Sequence, residues 1–242
     1  MEAKSVIPVK TEHSAGTIAV VTGSMPRYFE FWDSLVNTYV PLGTKYLRAS
    51  SYNVVMNRNA ALEKAVGDWV WFLDDDHTWE HDTLLRLLSH NVDVVGPVVT
   101  YKYPPFQSQL FKTYDAVTFQ NCQGYTWPEI QEQLDRGVTL LDVPSMGTPG
   151  LLVKRHVWET LAKEGPPFIW PPYYNATEDT LFTYRCHKAG FRVCCDLTLP
   201  FPHVSTMAAS AEINQEGELG RYLTINHKKI AYSPVFDKVV VG

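Results

Sequence analysis

Apolar and polar positions alternate in blocks along the chain, and the length of each block separates strands from helices. TIAVVTG, residues 17 to 23, is a continuous β-branched apolar run that stops at a glycine, as a strand covered on both faces does. In FEFWDSLVNTYV the residues Phe29, Trp32, Leu35, Val36 and Tyr39 stand at helical spacing until Pro41, which predicts a helix ended by that proline. A second strand is expected near TKYLRA. NVVMNRNAALEKAVG places apolar residues at Val54, Val55, Ala61, Leu62 and Ala65, with Asn53 as N-cap and Gly67 as its close. WVWFL, residues 69 to 73, is the most hydrophobic strand of the chain and runs directly into DDDH, residues 74 to 77. A helix over DTLLRLLSH and a strand over VDVVGPVV, residues 92 to 99, follow. The β-α-β-α-β-α-β series predicts an α/β fold, a mainly parallel sheet flanked by helices.

Outside this series the pattern changes. Residues 1 to 15 are polar without a period and read as a loose lead-in, and 101 to 144 read as an antiparallel or irregular portion. PSMGTPGLLVKRHVWETLAKEG then gives a glycine-rich loop, a short strand and a helix, and a Pro-rich aromatic loop follows at 166 to 175. TEDTLFTYRCHKAG reads as a helix that opens on acids and stops at Gly190, and FRVCCD as a strand. With no repeat and no long linker, one domain over 16–242 is expected. Its parts would be a nucleotide-binding half at 16–100, an acceptor half at 101–205 and a tail at 206–242.

At 242 residues, 45% hydrophobic and 19% charged, the chain is that of a globular protein and neither disordered nor fibrous. Its formal charge of −5 offers no overall basic field for a polyanion, which ranks nucleic acid low among partners. Cys122, Cys186, Cys194 and Cys195 show no CxxC spacing and suggest a reducing compartment. The N-terminus lacks an apolar leader, and no window reaches the roughly 20 apolar residues that span a bilayer, so a cytoplasmic address is expected.

Candidate chemistry gathers at four places. Asp74, Asp75, Asp76 and His77 stand at the carboxyl end of an apolar strand, where open parallel sheets bind ligands. Adjacent carboxylates repel and have no core use; they need a cation or several donors, or else form a solvated turn capping the helix near Thr83. Glu178 and Asp179 open a helix, where a carboxylate can act as general base or merely complement the helix dipole. His203 follows a strand due to end on the same sheet edge, and imidazole complements carboxylate around Mn2+-like ions. Gly147, Thr148, Pro149 and Gly150 form a loop whose amides could approach a ligand, although neither GxGxxG nor a Walker loop is present. Trp127, Trp170, Pro171, Tyr173 and Tyr174 form either a stacking platform or a packed aromatic lid.

NRNAALEKAVGDWVWFLDDDH resembles the signature of family 2 glycosyltransferases, in which an Arg-Asn helix leads through Gly-Asp into a strand ending in a D-x-D motif. GTPGLLVKR, TEDTLFTYRCHKAGFRV and PHV resemble, in order, that family's acceptor loop, its Glu-Asp pair and its terminal metal-ligand histidine, so the resemblance spans about 16 to 205. It implies a GT-A fold, a nucleotide-sugar donor, UDP-linked first, and Mn2+ or Mg2+ as cofactor. Asp76 would bind the metal with His203. Asp74 would lie near the ribose, and Thr22, Arg58, Asp75, Gly147 and Gly150 would line the nucleotide-sugar site. Asp179 would deprotonate the acceptor hydroxyl, beside Glu178 holding hydroxyls. The acceptor would be a glycan, protein or small molecule, with modified nucleic acid ranked below.

Two departures leave points open. LRASSYN has no acid where many family members contact uracil, so the base is open, and DDD leaves open which pair binds metal. A carboxylate at Asp179 suggests inversion, although retaining enzymes share the sheet. The chain also lacks the C-terminal membrane helices of polysaccharide synthases, which suggests a soluble enzyme. A metal-dependent nucleotidyltransferase and a non-catalytic carbohydrate-binding protein remain as alternatives.

Overall fold

The computed structural model describes residues 7–23, 28–51, 53–102, 105–116, 121–171, 177–205, 207–213, 219–225 and 228–231. They belong to two compact units, 1–203 and 204–242. The first half of the larger unit holds β1 (Ile7–Val9), β2 (Thr17–Thr22), α1 (Phe29–Val36), β3 (Tyr39–Pro41), β4 (Lys45–Ser50), α2 (Val54–Lys64), β5 (Trp69–Asp74), α3 (Thr83–Ser89) and β6 (Val94–Val98). Its remainder holds β7 (Leu110–Thr113), β8 (Gln123–Gly124), α4 (Trp127–Asp135), β9 (Leu140–Asp142), β10 (Ser145–Met146), β11 (Leu152–Lys154), α5 (Arg155–Leu161), α6 (Glu178–Lys188) and β12 (Val193–Pro200). The smaller unit is an antiparallel meander of β13 (Met207–Ile213), β14 (Leu219–Ile225) and β15 (Lys228–Ala231).

A seven-stranded sheet runs in the order β4-β2-β5-β11-β6-β12-β9. Strands β4, β2, β5, β6 and β12 point one way, while β11 enters antiparallel between β5 and β6, and β9 closes one edge antiparallel. The continuous apolar runs follow from burial on both faces. Ile18, Val20, Trp71 and Leu73 pack toward Phe31 and Leu35 of α1 and Leu84 and Leu87 of α3. The alternate residues Ala19, Val21, Val70 and Phe72 pack toward α2, α5 and α6 on the opposite face. The α/β fold expected from the sequence, mainly parallel and flanked by helices with a small antiparallel portion, is therefore the observed one.

Local departures have local causes. Helix α1 stops at Val36, well before Pro41, because Asn37 Nδ2 donates to the Asp33 carbonyl (2.9 Å) and Thr38 Oγ1 to that of Ser34 (2.8 Å). The freed residues form β3 and pair in parallel with β1, so the supposed lead-in contributes a strand. Asn53 caps α2 by accepting from the Met56 amide (3.1 Å), but that helix ends at Lys64 rather than at Gly67. Gly67 adopts φ +81, and a Cβ there would overlap the Ala15 carbonyl oxygen.

Within 101–144, β7 pairs with β8 and β10, and α4 is a regular helix. A reciprocal Thr126 and Glu129 capping box starts it, with Pro128 in its first turn. Among the described residues no helix is long and apolar enough to cross a membrane, and all four cysteines are free.

Candidate functional site

The carboxyl end of β5 carries the apolar run out of the core and into a turn at Asp75 and Asp76. His77 then forms an antiparallel bridge with His203, beyond the end of β12, and the Thr78 amide donates to the Pro202 carbonyl at 3.0 Å. These backbone contacts bring the acidic turn and the late histidine into one site.

Asp76 is its centre. Its Oδ1 lies 3.1 Å from His77 Nδ1, and its Oδ2 lies 3.3 Å from His203 Nε2 and 2.6 Å from Lys102 Nζ. His203 Nδ1 is 3.2 Å from the Thr100 carbonyl oxygen, which can only accept, so that nitrogen donates. The ring therefore points Nε2 at a carboxylate oxygen, and an imidazole nitrogen facing a carboxylate is a donor pair that a divalent cation can share. His77, 1% exposed, has no hydrogen bond of good geometry at either ring nitrogen, and its ring stacks against His203 at 4.2 Å and Phe201 at 5.3 Å. Burial lowers the pKa of His77 and keeps it neutral. Burial also opposes ionisation of Asp76, but the close approach of His203 and His77 outweighs it and holds that carboxyl well below the ordinary range. One ligand atom each from Asp76, His77 and His203 lie within 4.8 Å of one another. Carboxylate and imidazole suit Mn2+-class ions, so these residues fit the divalent metal. Sequence reasoning paired Asp76 with His203, placed His77 in the acidic turn without a ligand role, and missed Lys102.

A second cluster stands behind the turn. Arg58, buried on α2, reaches Asp74 Oδ2 (Nη2, 3.2 Å) and Glu178 Oε1 (Nε, 3.3 Å), tying the end of β5 to the first turn of α6. Burial raises the pKa of Asp74 against the pull of Arg58. Burial and the Asp179 charge do the same at Glu178. Arg58→Met removes the shared cation and leaves two buried carboxylates facing each other, so a loss of about 3–5 kcal/mol of stability is expected near neutral pH. Both carboxylates would then titrate above their unfolded values, a state whose stability is greatest at low pH and falls as pH rises through the folded pKa. The deficit against wild type should thus shrink on acidification, as denaturant melts at two pH values would show.

The remaining candidates divide. A cleft of about 240 Å³ is lined by Thr22, Ser51, Asn57, Asp74, Asp75 and Asp76, among others. Thr22 donates to Asp75 Oδ2 at 2.6 Å and so braces the turn from β2. Arg58 does not line this cleft; its neighbour Asn57 does. The Gly147 and Gly150 amides donate to the Gln109 and Phe72 carbonyls and are taken by the fold. What Gly150 supplies is close packing: at φ +75, a Cβ would press on Pro97 and Phe201. Between them the buried Thr148 hydroxyl has no partner among the described residues.

Asp179, half-buried, accepts the Thr180 amide at Oδ1 (2.7 Å) and pairs with no cation among the described residues. A cleft of about 460 Å³ is lined by Tyr101, Gln107, Ser108, Tyr125 and Trp127, among others. Tyr101, which lines this cleft, directly precedes Lys102, which pairs with Asp76. Trp170 is 56% exposed and lines none of these clefts; Tyr173 and Tyr174 lie outside the described residues. No curated protein matches the chain. The model of the family described as "Glycosyl transferase family 2" matches residues 32–161, from α1 to the end of α5, and so includes the acidic turn but not Glu178, Asp179 or His203.

Proposed function

Because the chain belongs to glycosyl transferase family 2, whose model spans more than half of its 242 residues, we propose a specific form of sugar transfer for it. It moves a sugar from a nucleotide-diphosphate sugar, UDP-linked first, to an acceptor hydroxyl, with a divalent metal. The observation that carries this reading is the facing pair of His203 Nε2 and Asp76 Oδ2 at 3.3 Å, with the imidazole oriented by Thr100. Charge adds to it. Asp74, Asp75, Asp76, Glu178 and Asp179 crowd a region that holds Arg58 and Lys102, so an anionic diphosphate needs a further cation to enter.

Mn2+ or Mg2+ held by Asp76 and His203, with His77 at hand, would neutralise the charge that develops on the departing diphosphate. The other steps belong to the chain. Thr22 and Asp75 hold the turn at the mouth of the nucleotide cleft, and Arg58 fixes Asp74 and Glu178 so that α6 presents Asp179 to the acceptor. Asp179 takes the acceptor's proton as the new bond forms between acceptor oxygen and anomeric carbon. The electron pair of the broken bond leaves with the diphosphate, and the sugar inverts without a covalent intermediate. The Tyr101 and Trp127 cleft, within the usual size of small-ligand sites, about 300–1,000 Å³, suits a sugar ring, which ranks glycans first among acceptors.

Calorimetric titration with UDP and with GDP, each with and without Mn2+, tests the donor half. UDP should bind only with metal; GDP in its place would change the base. No binding of either nucleotide with Mn2+ would sink the reading.

A further inference from the structure

Among the described residues Lys102 supplies the only Lys or Arg ion pair to Asp76. Its Nζ, at 2.6 Å, approaches Oδ2, the same oxygen that faces His203 Nε2 at 3.3 Å. Both side chains are largely shielded from water, with 16% of Lys102 and 14% of Asp76 exposed. A divalent ion held by Asp76 and His203 would bind that oxygen directly. An ammonium and a dication on one oxygen would be close neighbours, and in so dry a setting like charges repel strongly. The two cations therefore compete for Oδ2.

We propose that Lys102 is a tethered counter-ion of the metal site, a positioning residue that trades places with the incoming metal. Before the ion arrives its ammonium neutralises Asp76 and keeps the acidic turn compact. When a divalent ion takes Oδ2, Lys102 is displaced and turns its charge to the diphosphate that binds with the metal. The Tyr28 ring, 6.0 Å from Nζ, offers an aromatic face beside this path. The exchange couples the two ligands: metal alone pays for breaking the ion pair, and the nucleotide recovers that loss through the freed ammonium. The proposal rests on the reading of Asp76 and His203 as metal ligands.

Removing the Lys102 charge should therefore move two affinities in opposite directions, which a purely structural role would not do. The full chain, Lys102→Met, Lys102→Arg and Asp76→Asn would be titrated with Mn2+ alone, free ion being read by electron paramagnetic resonance. UDP would then be titrated calorimetrically at saturating Mn2+. Lys102→Met should bind Mn2+ about tenfold more tightly and UDP about tenfold more weakly, the scale of one charge-assisted hydrogen bond. Lys102→Arg, which keeps the charge, should stay near wild type in both, and thermal melts check that each variant folds. Mn2+ affinity in Lys102→Met at or below that of wild type, or unchanged UDP affinity, overturns the exchange while the metal site stands. If no variant binds Mn2+, or Asp76→Asn binds it as wild type does, the metal reading itself falls and the proposal with it.

Discussion

Asp179→Asn is expected to lower kcat by about 10²–10⁴-fold while Mn2+-dependent UDP binding stays near wild type, because under the proposed function only proton acceptance is removed. The substitution preserves shape. The asparagine carbonyl can still accept the Thr180 amide that Asp179 Oδ1 accepts at 2.7 Å, so the first turn of α6 keeps its geometry. Its neighbour is a different case. Glu178 is 8% exposed and held by Arg58, so its replacement disturbs the β5 to α6 tie and reads as stability rather than as proton transfer. The measurement is turnover of donor with acceptor, beside calorimetry of UDP with Mn2+ on the same variant. Full turnover in Asp179→Asn would move the base elsewhere; lost UDP binding would assign Asp179 to the donor side.

Asp76→Ala is expected to weaken Mn2+-dependent UDP binding by more than about 100-fold and to abolish transfer, since under the proposed function it deletes a direct ligand and not an outer support. The loss should be far larger than for Asp75→Ala. Asp75 accepts from Thr22 at 2.6 Å and braces the turn, whereas Asp76 alone has both carboxylate oxygens directed at His77, His203 and Lys102. Calorimetry of both variants with UDP and Mn2+ decides between them. Equal losses would mean that the second and third acids are not distinguished as proposed, and retained affinity in Asp76→Ala would place the metal on another pair.

The site was legible from sequence where strand direction decides position. Asp74 follows five apolar residues, and residue 203 follows another buried strand, so both had to emerge at the same sheet edge. Contacts made by backbone pairing or by a remote loop left no such mark. His77 gains its place from a bridge to His203, and Lys102 reaches Asp76 from a segment without periodicity. Arg58 was expected to line the nucleotide-sugar site, and its pairing with two buried carboxylates left no mark in the sequence. A guanidinium on α2 finds Asp74 and Glu178 only once α6 has packed, a contact across 120 residues for Glu178. Helix α4 was missed for a different reason, since Thr126 and Glu129 did carry the capping signal within a stretch whose polar character hid the helix. The glycine-rich loop shows the converse: Gly147 and Gly150 mark close packing, because their amides are already bonded to carbonyls.

The antiparallel entry of β11 between β5 and β6 sets the order in which this sheet can be completed. Strands made early, at residues 69–74 and 94–98, have no neighbour on their facing edges until Leu152–Lys154 arrives. During synthesis the chain carries two hydrophobic edges across more than fifty residues of further growth, the kind of exposure through which nascent chains pair with one another. Any fragment that stops before Leu152 keeps the acidic turn and the β2 partner of β5 but lacks the strand that joins β5 to β6. The DDDH turn therefore acquires its full sheet setting late, although its three acids lie in the first third of the 242-residue chain.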